Sequence, residues 1–301
     1  MSNKIIIICG PTASGKSALA INIAKQLNTE IISADSLAIY KNLDIGTAKP
    51  TIDEQKQVKH HLIDVVSPFD NFSVSDYEKL ALPIIDNLLK NGKTPIICGG
   101  TGFYINSILY NLNYGGTKEN LEVREKYFNL YKSNGADCVY NELLKVDPES
   151  SKTLHKNDVK RVIRALEIYY ATGKKKSEQN DKLIPRYNYL AYTIDHSRDY
   201  LYSRINKRVD IMLENGLIDE VKNLMKNGVT INHQCMQGIG YKEVYDAVIK
   251  DDYANLSEVI KLNSRHYAKR QITFFKKLEG LIYLKGNLDE ITNKVLNDCN
   301  K

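Results

Sequence analysis

An eight-residue segment near the amino terminus combines glycines, a lysine and a serine at the spacing of a phosphate-binding loop. It reads Gly-Pro-Thr-Ala-Ser-Gly-Lys-Ser and matches the pattern Gly, four residues, Gly-Lys-Ser/Thr at every position. In such loops, backbone N–H groups and a helix dipole bind an anionic oxygen, the lysine adds a positive charge, and the serine hydroxyl can hold Mg²⁺. The residues predicted to bind a phosphate or diphosphate are Gly10, Pro11, Thr12, Ala13, Ser14, Gly15, Lys16 and Ser17.

The residues on either side predict the elements that such a loop requires. Lys4 to Cys9 is rich in isoleucine, as in a buried parallel strand, and Ala18 to Leu27 carries apolar residues at helical spacing. The loop would therefore join a strand to the amino terminus of a helix. Because most loops of this type bind ATP or GTP, a kinase or nucleoside triphosphatase is the first hypothesis that the segment raises.

A carboxylate and a second glycine-rich turn follow the next two predicted strands. Asp35 follows Glu30 to Ala34, and the turn Gly99 to Tyr104 follows Thr94 to Cys98. Carboxyl ends of parallel strands meet at one edge of a sheet, so both groups should lie beside the phosphate loop. In a kinase Asp35 would hold Mg²⁺ or position a hydroxyl, whereas in a transferase it could accept a proton from an incoming amine.

Two arginines one helical turn apart are a candidate clamp for a diphosphate. Arg204 and Arg208 share one face of a helix predicted over Leu201 to Leu213, beside its apolar stripe. The alternative is a solvated basic face, with the arginines paired to Asp210 or Glu214.

A basic and aromatic stretch near the carboxyl terminus is typical of a helix that contacts a nucleic-acid backbone. Tyr267, Phe274 and Phe275 are interleaved with basic residues, and no acidic residue occurs between Glu258 and Glu279. The cations could contact phosphates and the aromatic rings could stack on an unpaired base. The alternative is a basic surface helix whose aromatic residues face the core. The basic residues are Lys261, Arg265, His266, Lys269, Arg270, Lys276 and Lys277.

Two shorter polar pairs have weaker signatures. Arg161 and Arg164 lie on the polar face of a helix predicted over Asp158 to Tyr170 and are a second candidate for phosphate contact, with an exposed basic face as the alternative. His60 and His61 lack metal-ligand spacing and precede a strand-like segment, so we predict a structural role for them.

Composition limits the class of protein. A chain of 301 residues with a net charge of +6 can bury a sizeable core and is mildly basic. The 5 cysteines show no Cys-x-x-Cys spacing, which argues against a disulfide framework or zinc site and favours reduced thiols in the cytoplasm. The apolar run Ile5 to Cys9 is far too short for a signal or membrane-spanning segment, so no membrane association is expected.

The order of predicted elements indicates an α/β fold. Residues 1–118 alternate strands and helices, as in the first part of a P-loop NTPase-like parallel sheet core. Residues 119–185 are helical and rich in lysine and tyrosine, which is typical of a helical insertion domain. Residues 186–301 return to the core through a strand, Tyr187 to Ile194, and continue as a basic helical C-terminal part.

Segments from Gly10 to Gln271 resemble, in order and spacing, those of the tRNA dimethylallyltransferase family, also called tRNA isopentenyltransferases. No single short segment is decisive, whereas their succession along nearly the whole chain is highly specific. Besides the phosphate loop they are Ser33-Ala-Asp-Ser36, Asp44-Ile-Gly-Thr-Ala-Lys-Pro50, His60-His-Leu-Ile-Asp64, Gly99-Gly-Thr-Gly-Phe-Tyr104, Asn157-Asp158, Arg161-Val-Ile-Arg164-Ala-Leu-Glu167, Arg204 to Asp210, Gln237-Gly-Ile-Gly-Tyr-Lys-Glu243 and Tyr267-Ala-Lys-Arg-Gln271.

The resemblance implies transfer of a dimethylallyl group from dimethylallyl diphosphate to the exocyclic amine of the adenosine 3′-adjacent to the anticodon of tRNA. It implies Mg²⁺ as cofactor, bound by Ser17, and the anticodon stem-loop as partner. The catalytic residues that it implies are Asp35, Thr101, Arg204 and Arg208. The implied tRNA-binding residues are Asp35, Ser36, Leu37, Ala38, Thr101, Val123, Lys160, Arg161, Arg164, Gln237, Gly238, Gly240, Tyr241, Lys242, Arg265, Lys269 and Arg270.

The chain departs from the family pattern at three positions. Phe274 stands where the family usually has tryptophan, and Lys276 where it has arginine, which weakens stacking or packing and removes a bidentate donor. Ala38 stands where many members carry glutamine, which argues against a side-chain role for this position in base recognition.

Alternative functions remain open at the level of sequence. The phosphate loop alone is compatible with a nucleotide or small-molecule kinase, and the basic helix with an RNA-binding protein that retains an inactive loop. Isopentenyltransferases that act on free adenine nucleotides lack much of the long basic C-terminal part. We expect a monomer for the tRNA-modifying enzyme.

Overall fold

Six parallel strands form one sheet, and the structure, a computed structural model, describes residues 4–115, 120–179 and 183–299. The strands are β1 (Lys4–Cys9), β2 (Ile31–Ser33), β3 (His60–His61), β4 (Ile96–Gly99), β5 (Asn188–Ile194) and β6 (Leu281–Leu284). Their order is β3-β2-β4-β1-β5-β6. In the register, Ile8 of β1 lies opposite Cys98 of β4 and Tyr192 of β5. The central strand β1 therefore directs the phosphate loop out of the middle of the sheet.

Helices connect and cover these strands. They are α1 (Lys16–Gln26), α2 (Ile52–Gln57), α3 (Val74–Lys90), α4 (Gly102–Leu109), α5 (Leu121–Val146), α6 (Pro148–Thr153), α7 (Val159–Thr172), α8 (Arg198–Glu214), α9 (Leu217–Lys226), α10 (Tyr241–Lys250), α11 (Leu256–Phe275) and α12 (Leu288–Cys299). Short 3₁₀ turns occur at Lys176–Glu178 and Gln234–Gln237. Within the described residues, no helix combines the length and the apolar composition needed to cross a membrane.

The chain divides into two compact units. Met1–Leu109 and Pro185–Lys301 form the unit that contains the sheet, and Tyr110–Ile184 form a helical unit. The boundary predicted between residues 118 and 119 lies outside the described residues. In the helical unit, α5 is broken at Gly135, and its two parts pack with α7 around Tyr127 and Leu166.

The core of the sheet unit explains why the N-terminal segment forms a strand. Ile5 to Ile8 are completely buried, because β1 is paired on both edges and covered on both faces. On one face, Leu19 and Ile23 of α1 and Val295 of α12 pack against the sheet. This packing fixes where β1 ends and hence where the phosphate loop begins.

The predicted strands and helices of the sheet unit are confirmed within a few residues, but two strands were missed. His60 and His61 do not precede a strand; they form the edge strand β3 themselves. Leu281 to Leu284 form β6 in a region predicted to be mostly helical. Both strands are too short to show alternation, so tertiary pairing with β2 and β5 decides their conformation.

A carboxylate ties three neighbouring strands together at their amino ends, opposite the phosphate loop. Glu30, directly before β2, accepts hydrogen bonds from Nε2 of His61 in β3 at 2.6 Å and from Nζ of Lys93, before β4, at 3.0 Å. Burial acts to raise the pKa of Glu30, but the hydrogen bonds from His61 and Lys93 outweigh it and lower the pKa to about 2.

We expect Glu30→Gln to lower the free energy of unfolding by about 1–3 kcal/mol at pH 7, with the loss shrinking in acid. The pKa of Glu30 falls on folding, from 4.5 to about 2, so its stabilisation is complete above pH 4.5 and is lost as the pH falls towards 2. Urea unfolding of both proteins between pH 3 and 7 measures this. The exposed Glu279→Gln is the matched control, and an equal difference at all pH values would contradict the assignment.

Candidate active site

The chemical groups predicted from the sequence meet where β1, β2 and β4 end. β4 pairs with both β1 and β2, so the residues after these strands are neighbours. Gly99 packs so closely on the end of β2 that a Cβ there would lie 2.1 Å from the carbonyl oxygen of Ala34. Only glycine permits this approach, which brings Thr101 next to Asp35.

Two side chains donate hydrogen bonds to carbonyl groups of the phosphate loop. Nε of Arg204 donates to the carbonyl oxygen of Ala13 at 2.7 Å, and Nε2 of His196 donates to that of Ser14 at 2.8 Å. In a trans peptide, the N–H points away from the preceding carbonyl. The next two N–H groups, of Ser14 and Gly15, therefore face the side of the loop that binds an anion in loops of this type.

The charged groups behind the phosphate loop carry a net positive charge. Lys16, Arg208 and Asp35 line a cavity of approximately 100 Å³, together with Cys98. Burial lowers the pKa of Lys16 and of Arg208; Arg208 lowers that of Lys16 further, while Asp35 opposes both shifts. Lys16 is partly exposed because the cavity is open, and it donates to the carbonyl oxygen of Pro11 at 2.6 Å. Two half-buried cations with one carboxylate favour an anionic ligand.

A second cavity of approximately 350 Å³ adjoins the first. Its walls come from the turn after β2, from α8, from the segment Gln237–Gly240 and from α11. The residues that line both cavities are Thr12, Asp35, Thr47, Arg208 and Tyr267. Asp35 therefore stands between a cationic cavity and a larger, more apolar one.

Asp35 is held by the backbone that follows it. Its Oδ1 accepts hydrogen bonds from the N–H groups of Leu37 at 2.9 Å and Ala38 at 3.2 Å. Both bonds engage the same oxygen, and within the described part of the chain no donor is bound to Oδ2. The carboxylate is thus fixed in direction with one oxygen free to contact a substrate.

Thr101 completes this corner of the site. Its Oγ1 accepts from the N–H of Ser36 at 3.0 Å and donates to Oγ of Ser36 at 3.2 Å. Tyr267 also contacts it: burial and the charge of Asp35 raise the pKa of Tyr267 to about 12, although hydrogen bonds to Thr101 and Gln271 oppose the shift. Tyr267 is therefore a neutral phenol next to the carboxylate.

One carboxylate holds residues 44–46, of which Gly46 belongs to the wall of the second cavity. Glu220 accepts hydrogen bonds from the N–H groups of residues 44–46 at 2.8–3.2 Å and from the hydroxyl of Tyr241 at 2.6 Å. Nη2 of Arg208 donates to the carbonyl oxygen of Thr47 at 2.9 Å, which joins this wall to the cationic cavity. Tyr241 is completely buried, so it contributes to the wall by packing and not by surface contact.

Gln237, Gly238 and Lys242 of the Gln237–Lys242 segment lie nearer the surface than Tyr241. Gly238 packs on Leu37 so tightly that a Cβ would lie 2.4 Å from that side chain. Gln237 and Lys242 are exposed, and Gln237 and Gly240 line the second cavity. This segment and the turn after β2 form facing rims of the cavity.

Helix α11 places its basic residues in different surroundings. Lys269 and Arg270 are exposed, and Arg270 lies over the ring of Tyr267 at 5.6 Å. Arg265 donates to Asn206 at 2.7 Å. Lys261 is bound to Asp210 at 2.7 Å, so Asp210 is engaged by Lys261, whereas Arg204 and Arg208 turn towards the loop and the wall.

Phe274 has a packing role at this end of α11. Its ring lies against the backbone of Gly102, where a Cβ would come within 2.2 Å of it, and meets Phe103 edge-on with ring centroids 5.4 Å apart. The smaller aromatic ring in place of tryptophan therefore still supports the turn that carries Thr101.

The helical unit carries the remaining predicted contact residues. Lys160 and Arg161 on α7 are exposed, and Val123 on α5 is half-buried. Arg164 is instead directed at its own unit: Nη1 lies 2.8 Å from the fully buried Glu167, and Nη2 donates to the carbonyl oxygen of Tyr114 at 2.7 Å. Because Arg164 is engaged in these bonds, the exposed Lys160 and Arg161 are better placed than Arg164 to contact an RNA backbone.

Several residues that form the site carry no local signal in the sequence. Glu220, His196 and Thr47 act through hydrogen bonds to groups far away in the sequence, which no spacing rule detects. Tyr267 and Gln271 belong to segments with family resemblance, but the sequence suggested base stacking for the tyrosine and no role for the glutamine. Among residues 4–115, 120–179 and 183–299, no cluster of three His, Cys, Asp or Glu side chains could hold a metal.

Comparison with known proteins agrees with this geometry. The model of the IPP transferase family matches residues 38–278. A tRNA dimethylallyltransferase of Acetivibrio thermocellus is 45% identical over 298 residues, covering 98% of this chain and 95% of the relative. One of Thermoanaerobacter sp. is 46% identical over 283 residues, covering 92% of this chain and 90% of the relative.

Solved structures give the same result. The tRNA isopentenylpyrophosphate transferase of Bacillus halodurans superposes with a TM-score of 0.75 at 38% identity, over 99% of this chain and 96% of that one. A eukaryotic dimethylallyltransferase acting on tRNA superposes with a TM-score of 0.78 at 32% identity, over 94% of this chain and 74% of that one. With a family match over most of its length and relatives this similar, the chain belongs to the tRNA dimethylallyltransferase (IPP transferase) family of prenyltransferases.

Proposed function

We propose that this chain transfers the dimethylallyl group of dimethylallyl diphosphate to the exocyclic amine of the adenosine 3′-adjacent to the anticodon in tRNA and releases diphosphate. One observation carries the proposal. Lys16 and Arg208 line one cavity, a larger cavity adjoins it, and Asp35 lines both. An anion and an uncharged planar base suit the two cavities. The names of the relatives support this choice of substrates.

The phosphate loop would hold the leaving diphosphate. The N–H groups of Ser14 and Gly15, the ammonium of Lys16 and the guanidinium of Arg208 would face its oxygens, while Arg204 holds the loop through Ala13. These groups spread the negative charge that develops as the allylic C–O bond breaks. Because they are already in place before the substrate arrives, little reorganisation accompanies the reaction.

Mg²⁺ fits the donor set as a cofactor. Ser17 offers a hard oxygen ligand at the cationic cavity, and Mg²⁺ is commonly held by few protein ligands together with water and substrate phosphates. The ion would neutralise charge on the diphosphate. Ser17 would bind the ion, and Lys16 would contact the same diphosphate.

The acceptor adenine would occupy the larger cavity after leaving the anticodon stack. Its amine attacks the allylic carbon, so a C–N bond forms while the C–O bond to diphosphate breaks, and the amine proton passes to Asp35. Thr101 and Tyr267 lie next to this carboxylate and would orient the amine. Since an aromatic amine is a weak nucleophile, its alignment contributes more than the proton transfer.

The anticodon stem-loop would be bound by exposed cations, of which Arg270 also lines the larger cavity. Lys269 and Arg270 on α11 and Lys160 and Arg161 on α7 are exposed and can contact phosphates.

The proposal is tested by incubating the purified protein with undermodified tRNA, Mg²⁺ and dimethylallyl diphosphate, and by measuring the mass of the anticodon-loop nucleosides. We expect dimethylallyl adenosine next to the anticodon, and its loss when Mg²⁺ is chelated. Calorimetric binding of ATP in preference to dimethylallyl diphosphate, without a modified nucleoside, would instead identify a kinase.

We expect Asp35→Asn to lower kcat by about 10²- to 10⁴-fold without weakening binding of dimethylallyl diphosphate. The amide oxygen can still accept the N–H groups of Leu37 and Ala38, so the turn survives while the proton acceptor is lost. Asp35 is the one carboxylate among the described residues that line the cationic cavity, so its removal leaves the site more positive. Single-turnover kinetics and calorimetry measure the two effects.

Asp35→Ala separates charge from turn structure, because it removes both. It should be less stable than Asp35→Asn, while the exposed Asp289→Asn should match the native enzyme. Equal loss of turnover and diphosphate affinity in Asp35→Asn would make Asp35 a binding residue and contradict its role as proton acceptor.

We expect Lys16→Met to raise the melting temperature of the ligand-free protein and to weaken diphosphate binding at least about tenfold, or ~1.4 kcal/mol. Folding lowers the pKa of Lys16, chiefly by burial, so its ammonium destabilises the ligand-free protein at neutral pH. That penalty disappears as the pH rises towards 10.5, the ordinary pKa of lysine, and the difference in melting temperature should shrink. Calorimetry with inorganic diphosphate and thermal melts from pH 7 to 10 test this.

Lys25→Met on the exposed side of the same helix is the matched control and should leave diphosphate binding unchanged. If Lys16→Met melted below the native protein and still bound diphosphate normally, the lysine would be a structural residue.

A further inference from the structure

We propose that Gln271 is a positioning residue that sets the phosphate loop in register with the Gly100–Thr101 turn, and so aligns the allylic carbon with the adenine amine. The inference rests on the proposed function. It concerns one side chain of α11 that reaches both glycine-rich turns. The side chain also lines the cationic cavity.

Besides its contact with Tyr267, Gln271 makes two hydrogen bonds to backbone groups of different turns. Its Oε1 accepts from the N–H of Thr12 at 2.9 Å, and its Nε2 donates to the carbonyl oxygen of Gly100 at 3.0 Å. In the opposite orientation, Nε2 would face the N–H of Thr12 and Oε1 would face the carbonyl oxygen of Gly100. Neither pair could form a hydrogen bond, so the two partners fix the orientation of the amide. The residue is only 5% exposed, hence either bond, once broken, would leave a buried polar group unpaired.

The turn is shaped to receive this amide. A Cβ on Gly100 would lie 2.1 Å from Nε2 of Gln271, so the glycine leaves room for the side chain at this point. Thr12 lines both cavities, and Gly100 leads directly to Thr101 beside Asp35. Gln271 therefore spans the two parts of the site that hold opposite ends of the reaction.

Helix α11 is the common reference for both turns. Its exposed face presents Lys269 and Arg270, which we assign to RNA contact, and its buried face presents Gln271. An RNA docked on the helix is thereby placed at a fixed distance from the diphosphate loop. Displacement of either turn by about 1 Å can cost on the order of 10²-fold in rate, since reacting atoms must approach within ~3–3.5 Å.

Gln271→Glu provides a readout that a purely structural role would not move. Its carboxylate can still accept from Thr12, but the second oxygen, when ionised, faces the carbonyl of Gly100 and repels it. When protonated, that oxygen donates as the amide does. We expect the ratio of its kcat to that of the native enzyme to rise as the pH is lowered from about 9 to 5.5, because protonation restores the missing hydrogen bond.

Gln271→Met has a similar length and neither hydrogen bond. We expect kcat to fall about 10- to 100-fold at every pH, with KM for dimethylallyl diphosphate within about threefold of the native value, because the groups that bind the diphosphate remain. Val259→Ala, an exposed change on the same helix, is the matched control and should leave kcat unchanged.

A native pH profile for Gln271→Glu, or a loss of kcat that follows loss of folded protein by circular dichroism and diphosphate calorimetry, would overturn the proposal. A native enzyme without prenylation activity would instead refute the proposed function, so the two failures are distinguishable. Acid rescue of Gln271→Glu but not of Gln271→Met identifies the donor to Gly100 as the functional group.

Discussion

The site depends on positive charge that the fold encloses without enough negative charge to balance it. Lys16 and Arg208 lie at one cavity with Asp35 as their shared carboxylate, and burial lowers the pKa of both cations. Desolvation of a charge is costly unless a partner supplies compensation. An anionic ligand in this cavity would offset that cost, so the feature that destabilises the ligand-free protein would also favour binding of the proposed diphosphate.

The remainder of the site keeps those charges in place from several directions. Arg204 and His196 hold the outer carbonyl groups of the loop, and Glu220 holds the wall on which Arg208 rests. None of these side chains follows the loop in sequence. The loop is therefore a short segment held by α8 and by the connection after β5, while α9 holds the neighbouring wall.

Much of the sheet unit could be predicted from sequence, because its central elements have strong local signals. β1 is a run of isoleucines, α1 has helical spacing, and the glycine-rich loop lies between them. Asp35 could be placed because it follows a buried strand. β3 and β6 could not, since strands of two and four residues depend on their neighbours for hydrogen bonds and carry no periodicity of their own.

The positioning residues were beyond sequence reasoning for a different reason. Glu220 lies about 175 positions from the backbone that it binds, and Gln271 lies 259 positions from Thr12. A glutamine or glutamate on an amphipathic helix looks like any polar surface residue until the fold brings its partner near. Arg164 illustrates the converse, since its charge suggested RNA contact while the structure directs it to the buried Glu167.

Cys98, which lines the cationic cavity, should resist chemical modification. Burial raises the pKa of its thiol to about 11, although Lys16 nearby opposes the shift. The sulfur therefore stays in its unreactive, protonated form even though a cation is close and small molecules can enter. Peroxide and alkylating agents should find little to attack there, and inhibitors designed around a covalent warhead would gain nothing from this cysteine.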